Sequence, residues 1–234
     1  KNKPDVIMSI LFRKTGKQIL EFSKESGIPI FIVNTNIPKE DRIYINEPRT
    51  TYENFIGLAA ANEFQAGELL FKELLDKLKK DKLKEKIEII GINGPRGTIE
   101  SIQRANGLKK AVSRQDNVVL HQIVHANWDT KIAYTQTKGL LKKYPNVDII
   151  WTASDSMALG ARKAIKELNK DVLVGGIDWS DKGIKNVNNG ELDVTIGGHF
   201  MNGGIALILL YDYFNGKDFK EELGLEINFN MFAL

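Results

Sequence analysis

The chain has 234 residues, of which 42% are hydrophobic and 27% charged, and it contains no cysteine. That mix describes a globular protein with a sizeable core and excludes disorder, disulfides and thiolate metal sites. Lys+Arg 33 against Asp+Glu 30 leaves a net charge of +3, too small and too evenly spread for the basic stripe that nucleic-acid binding needs. No apolar run approaches the ~18–20 residues that cross a bilayer, so direct membrane insertion is not expected.

The apolar run at residues 5–11, beside Pro4, predicts a buried strand of the parallel-sheet type. Residues 15–26 place Ile19, Leu20 and Phe22 on one face and predict a helix, with Gly27 as its stop. Residues 28–33 predict a second strand and complete a strand–helix–strand unit. Residues 34–51, with Pro38, Pro48 and several charges, have no clean period and read as a long surface connection. From 62 to 80 the residues Phe64, Leu69, Leu70, Leu74, Leu75 and Leu78 recur at three and four, which predicts a one-faced helix; the Lys-rich stretch 77–86 reads as its solvated end.

The alternation then continues unbroken. Strands are predicted at 87–92, 118–124, 147–152 and 172–177, separated by helices at 98–112, 130–143 and 156–168. A short helix at 182–188, a strand at 194–196, a helix at 203–215 and a terminal apolar stretch at 225–232 follow. The fold class this rhythm implies is α/β with open parallel sheets.

In such sheets the ligand lies at the carboxyl ends of the strands, so the residues just after each strand come first. They are polar: Asn34 after the second strand, Ser154 and Asp155 after 147–152, Asp178 and Trp179 after 172–177, and Gly197-Gly198-His199 after 194–196. Each Asn, Ser or Asp is equally suited to capping the helix that follows. The turn Gly91-Ile92-Asn93-Gly94-Pro95-Arg96-Gly97 sits where phosphate loops occur but matches neither common phosphate-loop pattern. His121 and His125 are four apart with no zinc-binding frame around them, and Ser154 lacks the flanking glycines of a nucleophile elbow. Neither a metal, a cofactor nor hydrolytic catalysis is expected. Mixed hydrogen-bonding side chains together with Trp128 and Trp179 are the chemistry of sugar recognition, because hydroxyls need donors and acceptors while the C–H face of a sugar ring packs on an aromatic plane. Trp128, in the polar Asn127-Trp128-Asp129 turn, is expected to touch ligand; Trp151, in mid-strand, is expected in the core.

Three segments carry a resemblance. They are Trp151-Thr152-Ala153-Ser154-Asp155-Ser156-Met157-Ala158-Leu159-Gly160-Ala161, Val174-Gly175-Gly176-Ile177-Asp178-Trp179 and Arg104-Ala105-Asn106-Gly107-Leu108. Together they resemble the type I periplasmic sugar-binding proteins, closer to the sugar-transport binding components and the autoinducer-2 receptor than to the lactose-repressor group. Ile102 stands where ribose-type members carry a second arginine, and Gly198 where they carry a polar hinge residue, so ligand identity does not carry across.

The resemblance implies two doubly wound parallel-sheet lobes joined by a hinge, one formed by residues 1–61 plus 199–234 and the other by 62–198. It also implies an amino-terminal strand–helix–strand–helix portion that this chain does not contain, so that the first lobe is incomplete. Ser9 and Asn34 are the implied ligand contacts of the first lobe, with His199 near the hinge. Arg104, Ser154, Asp155, Asp178 and Trp179 are those of the second, with Trp128 as the stacking plane. The expected function is that of a monomeric periplasmic protein, not an enzyme, which closes on a small-molecule sugar and presents the closed form to a membrane permease. The alternative is a receptor of the same fold signalling to a membrane sensor kinase or chemoreceptor.

Overall fold

Strand and helix periods alternate along the computed structural model, which describes residues 3–11, 15–81 and 85–234. The chain runs through β1 (Ile7–Ser9), α1 (Gly16–Ser26), β2 (Ile30–Val33), α2 (Lys39–Ile45), β3 (Phe55–Ala61), α3 (Glu63–Asp81), β4 (Ile87–Asn93), α4 (Ile99–Val112) and β5 (Val118–His125). It continues with α5 (Thr130–Lys143), β6 (Ile149–Thr152), α6 (Asp155–Glu167), β7 (Leu173–Ile177), α7 (Asp181–Asn188) and β8 (Val194–Gly197). A 3-10 turn (His199–Met201), α8 (Asn202–Phe214), α9 (Lys220–Leu223), β9 (Glu226–Phe229) and β10 (Phe232–Ala233) complete it. These elements form two compact units, residues 1–62 with 199–230 and residues 63–198 with 231–234. Of the Lys-rich stretch 77–86, residues 82–84 lie outside the described residues. Among the described residues no helix is long and apolar enough to cross a membrane.

The first unit is built on a parallel sheet of order β1-β2-β3-β9. Alternation along β2 divides its core: Ile30 and Ile32 face Leu20, Ile45 and Leu58, while Phe31 on the opposite face packs with Ala206, Leu210 and Phe219. Gly27, at φ 62, ends α1 in the left-handed conformation, as its sequence position predicts.

Four elements of this unit differ from the sequence expectation: the 3-10 turn and the four-residue α9 were not anticipated, nor were the longer α2 and β3. The presumed long connection 34–51 contains α2, which Pro38 opens and Glu40 and Asp41 favour in the first turn. Its seven residues are too few to show a period, and Ile43 and Tyr44 are exposed. The inner strand β3 was not anticipated because Phe55-Ile56-Gly57-Leu58-Ala59-Ala60-Ala61 is rich in small residues that strands usually avoid. All seven are buried, and a β-carbon on Gly57 would stand 2.9 Å from the Phe219 ring. Close cover by that aromatic is what selects small residues here.

The second unit carries a sheet of order β10-β8-β7-β6-β4-β5, parallel except for β10. Its elements form within two residues of their expected bounds, the usual scatter at element ends. The terminal apolar stretch 225–232 divides: β9 joins β3 of the first unit, whereas β10 pairs antiparallel with β8 of the second. Glycine sets how closely the helices approach. A β-carbon on Gly67 would fall 2.0 Å from the Arg104 carbonyl oxygen, and one on Gly107 2.0 Å from that of Phe64, so α3 and α4 cross backbone against backbone. Trp151 is fully buried and donates its indole N–H to the Gly67 carbonyl at 3.2 Å, the core position expected of it.

Candidate functional site

From β4 the chain winds to β5 on one side and to β6 on the other, so the second sheet reverses direction between β4 and β6. Beyond the carboxyl ends of strands at such a reversal the flanking loops part and leave a crevice. Asn93 and the Gly94 turn stand at the end of β4, His125 ends β5 and Trp128 follows it, Ala153 and Ser154 follow β6, and Asp178 follows β7.

The loops there hold unusual backbone conformations. Asn127 and Trp128 have φ of 54° and 63°, and Asp178 and Trp179 have φ of 151° and 53°. Non-glycine residues in this region cost on the order of 1–3 kcal/mol each and persist only where the surroundings hold them. Here those surroundings are hydrogen bonds. The Trp128 carbonyl accepts from Ser156 Oγ at 3.0 Å, Asp178 N–H donates to the Ile196 carbonyl at 2.7 Å, and the Trp179 indole donates to the Thr195 carbonyl at 3.0 Å.

Arg104 joins these turns. Its Nε donates to Glu63 Oε2 at 2.5 Å, its Nη1 donates to the Ala153 carbonyl at 2.6 Å and to Asp178 Oδ1 at 3.3 Å, and its guanidinium carbon lies 5.8 Å from the Trp128 ring centroid. Burial opposes its charge, but Glu63 and Asp178 together more than offset that, and the guanidinium is held above its ordinary pKa. Burial also pushes the Asp178 carboxyl up to about 6; Asp155 and Glu63 add to the rise and Arg104 opposes it. Glu100, likewise, is raised chiefly by burial.

The sequence-derived candidates separate into groups. Asp178 and Trp128 each contact Arg104, and Ser154 is linked to Trp128 through Ser156, whose Oγ lies 2.9 Å from Ser154 Oγ. Ser154 also caps α6, accepting from Met157 N–H at 3.3 Å. Asp155 faces inward: it is fully buried, and its carboxylate accepts from Ser180 N–H and Oγ at 2.9 and 2.8 Å and from Thr195 Oγ1 at 2.6 Å. Trp179 lies against Gly197, whose added β-carbon would come within 2.1 Å of the indole. The capping and packing alternatives open to these polar residues are therefore realised at Ser154, Asp155 and Trp179, while Asp178 keeps 34% of its side chain exposed.

Ser9, Asn34 and His199 belong to the first unit. Ser9 ends β1 and bonds the Ile10 carbonyl; exposed Asn34 follows β2 at φ 62, its N–H donating to Ala59; half-buried His199 opens the 3-10 turn. His121 pairs with Glu88 at 2.8 Å and stacks on Tyr144, and His125 bonds the Gly94 carbonyl at 2.6 Å, so the two histidines serve separate contacts.

Sequence reasoning missed Glu63, which closely follows the unrecognised strand β3 and is 6% exposed, and Asn93, whose side chain donates to the Ser101 carbonyl and accepts from Gly94 N–H. For Glu63 the usable signal was an acid in the first turn of a predicted helix.

Residues 1–218 match the periplasmic binding protein domain. The chain is 33% identical in sequence to a periplasmic sugar-binding protein from Pseudomonas fluorescens, with a TM-score of 0.87, covering 100% of this chain and 69% of that one. It is 35% identical over 116 residues to the ribose import binding protein of Haemophilus influenzae, covering 49% of this chain and 39% of the relative. It is 25% identical over 204 residues to the xylitol-binding protein of Mycolicibacterium smegmatis, covering 86% of this chain and 52% of the relative. The matched segments thus span about two fifths to one half of these curated relatives. A solute-binding protein of Actinobacillus succinogenes with bound D-allose, 22% identical with a TM-score of 0.84, shares the fold. On its matched domain and this likeness of sequence and fold, the chain belongs to the periplasmic binding protein family.

Proposed function

We propose that the chain is the ligand-recognising part of a periplasmic sugar-binding protein that serves an ABC importer, and that it binds its sugar without altering it. The observation that carries this reading is that Asp178 and Trp128, which follow the carboxyl ends of strands of the second sheet, both contact Arg104. A partly exposed carboxylate accepts hydrogen bonds from hydroxyl groups, and an indole that contacts the same guanidinium takes the C–H face of a ring. The kinship with ribose-, xylitol- and sugar-binding proteins supports a neutral polyhydroxylated ligand.

In this reading Ser9 and Asn34 of the first unit add hydroxyl partners, with His199 as a hinge-proximal candidate. A ligand engaging both units favours a closed form, because that form alone makes every hydrogen bond at once. The closed form is what a membrane permease would recognise. A micromolar ligand supplies about 8 kcal/mol of standard binding free energy, enough to bias two forms that differ by a few.

A thermal-shift screen with D-ribose, D-allose, xylitol and myo-inositol tests the reading, since a ligand bound to the native state raises the melting temperature by mass action. At least one is expected to bind, and Asp178→Ala to weaken it by roughly 10- to 100-fold, the effect of losing a hydrogen bond to a charged group. No shift with any of them at millimolar concentration, or turnover of one, overturns it. Genes for a permease and an ATPase beside this one are expected; a histidine-kinase gene in their place would favour the receptor alternative.

A further inference from the structure

Arg104 occupies an unusual position for a residue of a ligand site. It is 4% exposed, and its hydrogen bonds run to Glu63, Ala153 and Asp178, all within the second unit. Asp178, by contrast, keeps a third of its side chain reachable, and Trp128 is half-buried. The guanidinium thus lies behind the groups that a ligand can touch.

Charge gives the arrangement its reason. Asp178 shares its surroundings with Glu63 and Asp155, both buried, and Glu100 feels the charges of Glu63 and Arg104. Arg104 is the cation among these carboxyls, and its planar fork directs Nε and Nη1 to different partners. A lysine would supply the charge without that fork. The contact with Trp128 is made by the same flat cation, so one side chain sets both a carboxylate and an indole.

We propose that Arg104 is a positioning residue rather than a ligand contact: with Glu63 as its counter-charge, it fixes the Asp178 carboxylate and the Trp128 ring in the places from which they receive the ligand. The placement is a property of the second unit by itself; only its use in binding rests on the sugar-binding reading.

The test uses the full chain with Arg104→Gln, Arg104→Lys and Glu63→Gln. The Asp178 titration is followed by carboxyl 13C resonances, and the three tryptophans are labelled with 5-fluorotryptophan for 19F spectra, Trp128 being assigned by Trp128→Phe. Arg104→Gln removes the neighbouring cation and is expected to raise the Asp178 midpoint by about one pH unit, whereas Glu63→Gln removes a competing anion and is expected to lower it. A purely structural role does not produce opposite signs. The Trp128 resonance is expected to move in both Arg104 variants while buried Trp151 stays in place. Whichever of D-ribose, D-allose, xylitol and myo-inositol raises the melting temperature is then titrated by calorimetry, and Arg104→Lys is expected to weaken it about tenfold.

If Arg104→Gln does not fold, Glu63→Gln and Arg104→Lys decide. An Asp178 midpoint and a Trp128 resonance that stay at their native values in the folded variants overturn the positioning role. Failure of the unsubstituted protein to bind any of D-ribose, D-allose, xylitol and myo-inositol counts against the sugar reading alone, because the titration and the 19F spectra still decide the positioning role without ligand.

Discussion

The carboxylate of Asp155 lies 1.9 Å from the point where a β-carbon on Gly183 would stand. That oxygen, Oδ2, is the one holding Ser180 N–H and Oγ, and Ser180 in turn caps α7 by accepting from Gly183 N–H at 3.0 Å. Gly183→Ala therefore has to displace a fully buried, bonded carboxylate. Overpacking of this kind costs roughly 1–3 kcal/mol, more than the gain in helix propensity from alanine. The expected result is a lower urea midpoint, and a variant as stable as the parent would refute this packing constraint.

Asp178 should make stability depend on pH. Its folded pKa of about 6 lies above the ordinary value of 3.8, so the folded state holds a proton that the unfolded state has released between those values. For a raised carboxyl the favourable contribution is present at low pH and is lost as pH rises through about 6. Asp178→Asn removes this dependence. Because a third of the side chain meets solvent, the stability difference between variant and parent is expected to shift by only about 1–2 kcal/mol, in the variant's favour, from pH 4 to pH 7. Urea titrations across that range measure it; a difference that stays constant with pH contradicts the assignment.

Gly94 sets the position of the Trp128 ring. A β-carbon there would fall 2.2 and 2.3 Å from two ring carbons and 2.4 Å from Ser101 Oγ. Gly94→Ala is expected to push the indole outward, change its fluorescence and weaken sugar binding about tenfold, the equivalent of ~1.4 kcal/mol. Unchanged emission together with unchanged affinity would show that Trp128 has no part in the site.

The backbone contact between α3 and α4 predicts a strong effect from a single methyl group. Gly107→Ala would set its β-carbon 2.0 Å from the Phe64 carbonyl oxygen and 2.9 Å from Glu68 N. Neither is the movable end of a side chain, so the helices must separate. A loss of about 2–4 kcal/mol is expected, against the ~1 kcal/mol that alanine gains over glycine within a helix. Gly139→Ala, in α5 with open space around it, is the control and should be neutral or stabilising.

Much of the fold was legible because its signals are local. The helix Thr130–Lys143 coincides with its predicted span, and β4 to β8 were each recognised as apolar runs. β3 escaped because its residues were chosen by Phe219, more than 150 positions away, rather than by strand propensity. α2 escaped because it buries too little of itself to impose a period. At the site, the polar residues after the strands were visible, but their directions were not. Asp155 and Asp178 follow adjacent parallel strands and look alike in the sequence, yet Ser180 and Thr195 draw one inward while Arg104 meets the other beyond the strand ends.

By itself the amino-acid order determined the alternation of strands and helices, and with it the set of positions at which a ligand could be met, because residue spacing along the backbone decides which side chains share a face. Only the tertiary structure decided which of those polar groups remain available. Each is claimed or left by partners distant in the chain: Glu63 reaches Arg104 across 41 positions, Asp178 reaches it across 74, and Thr195 reaches Asp155 across 40. A buried polar group must find such a partner, and which one it finds depends on how the strands are ordered in the sheet.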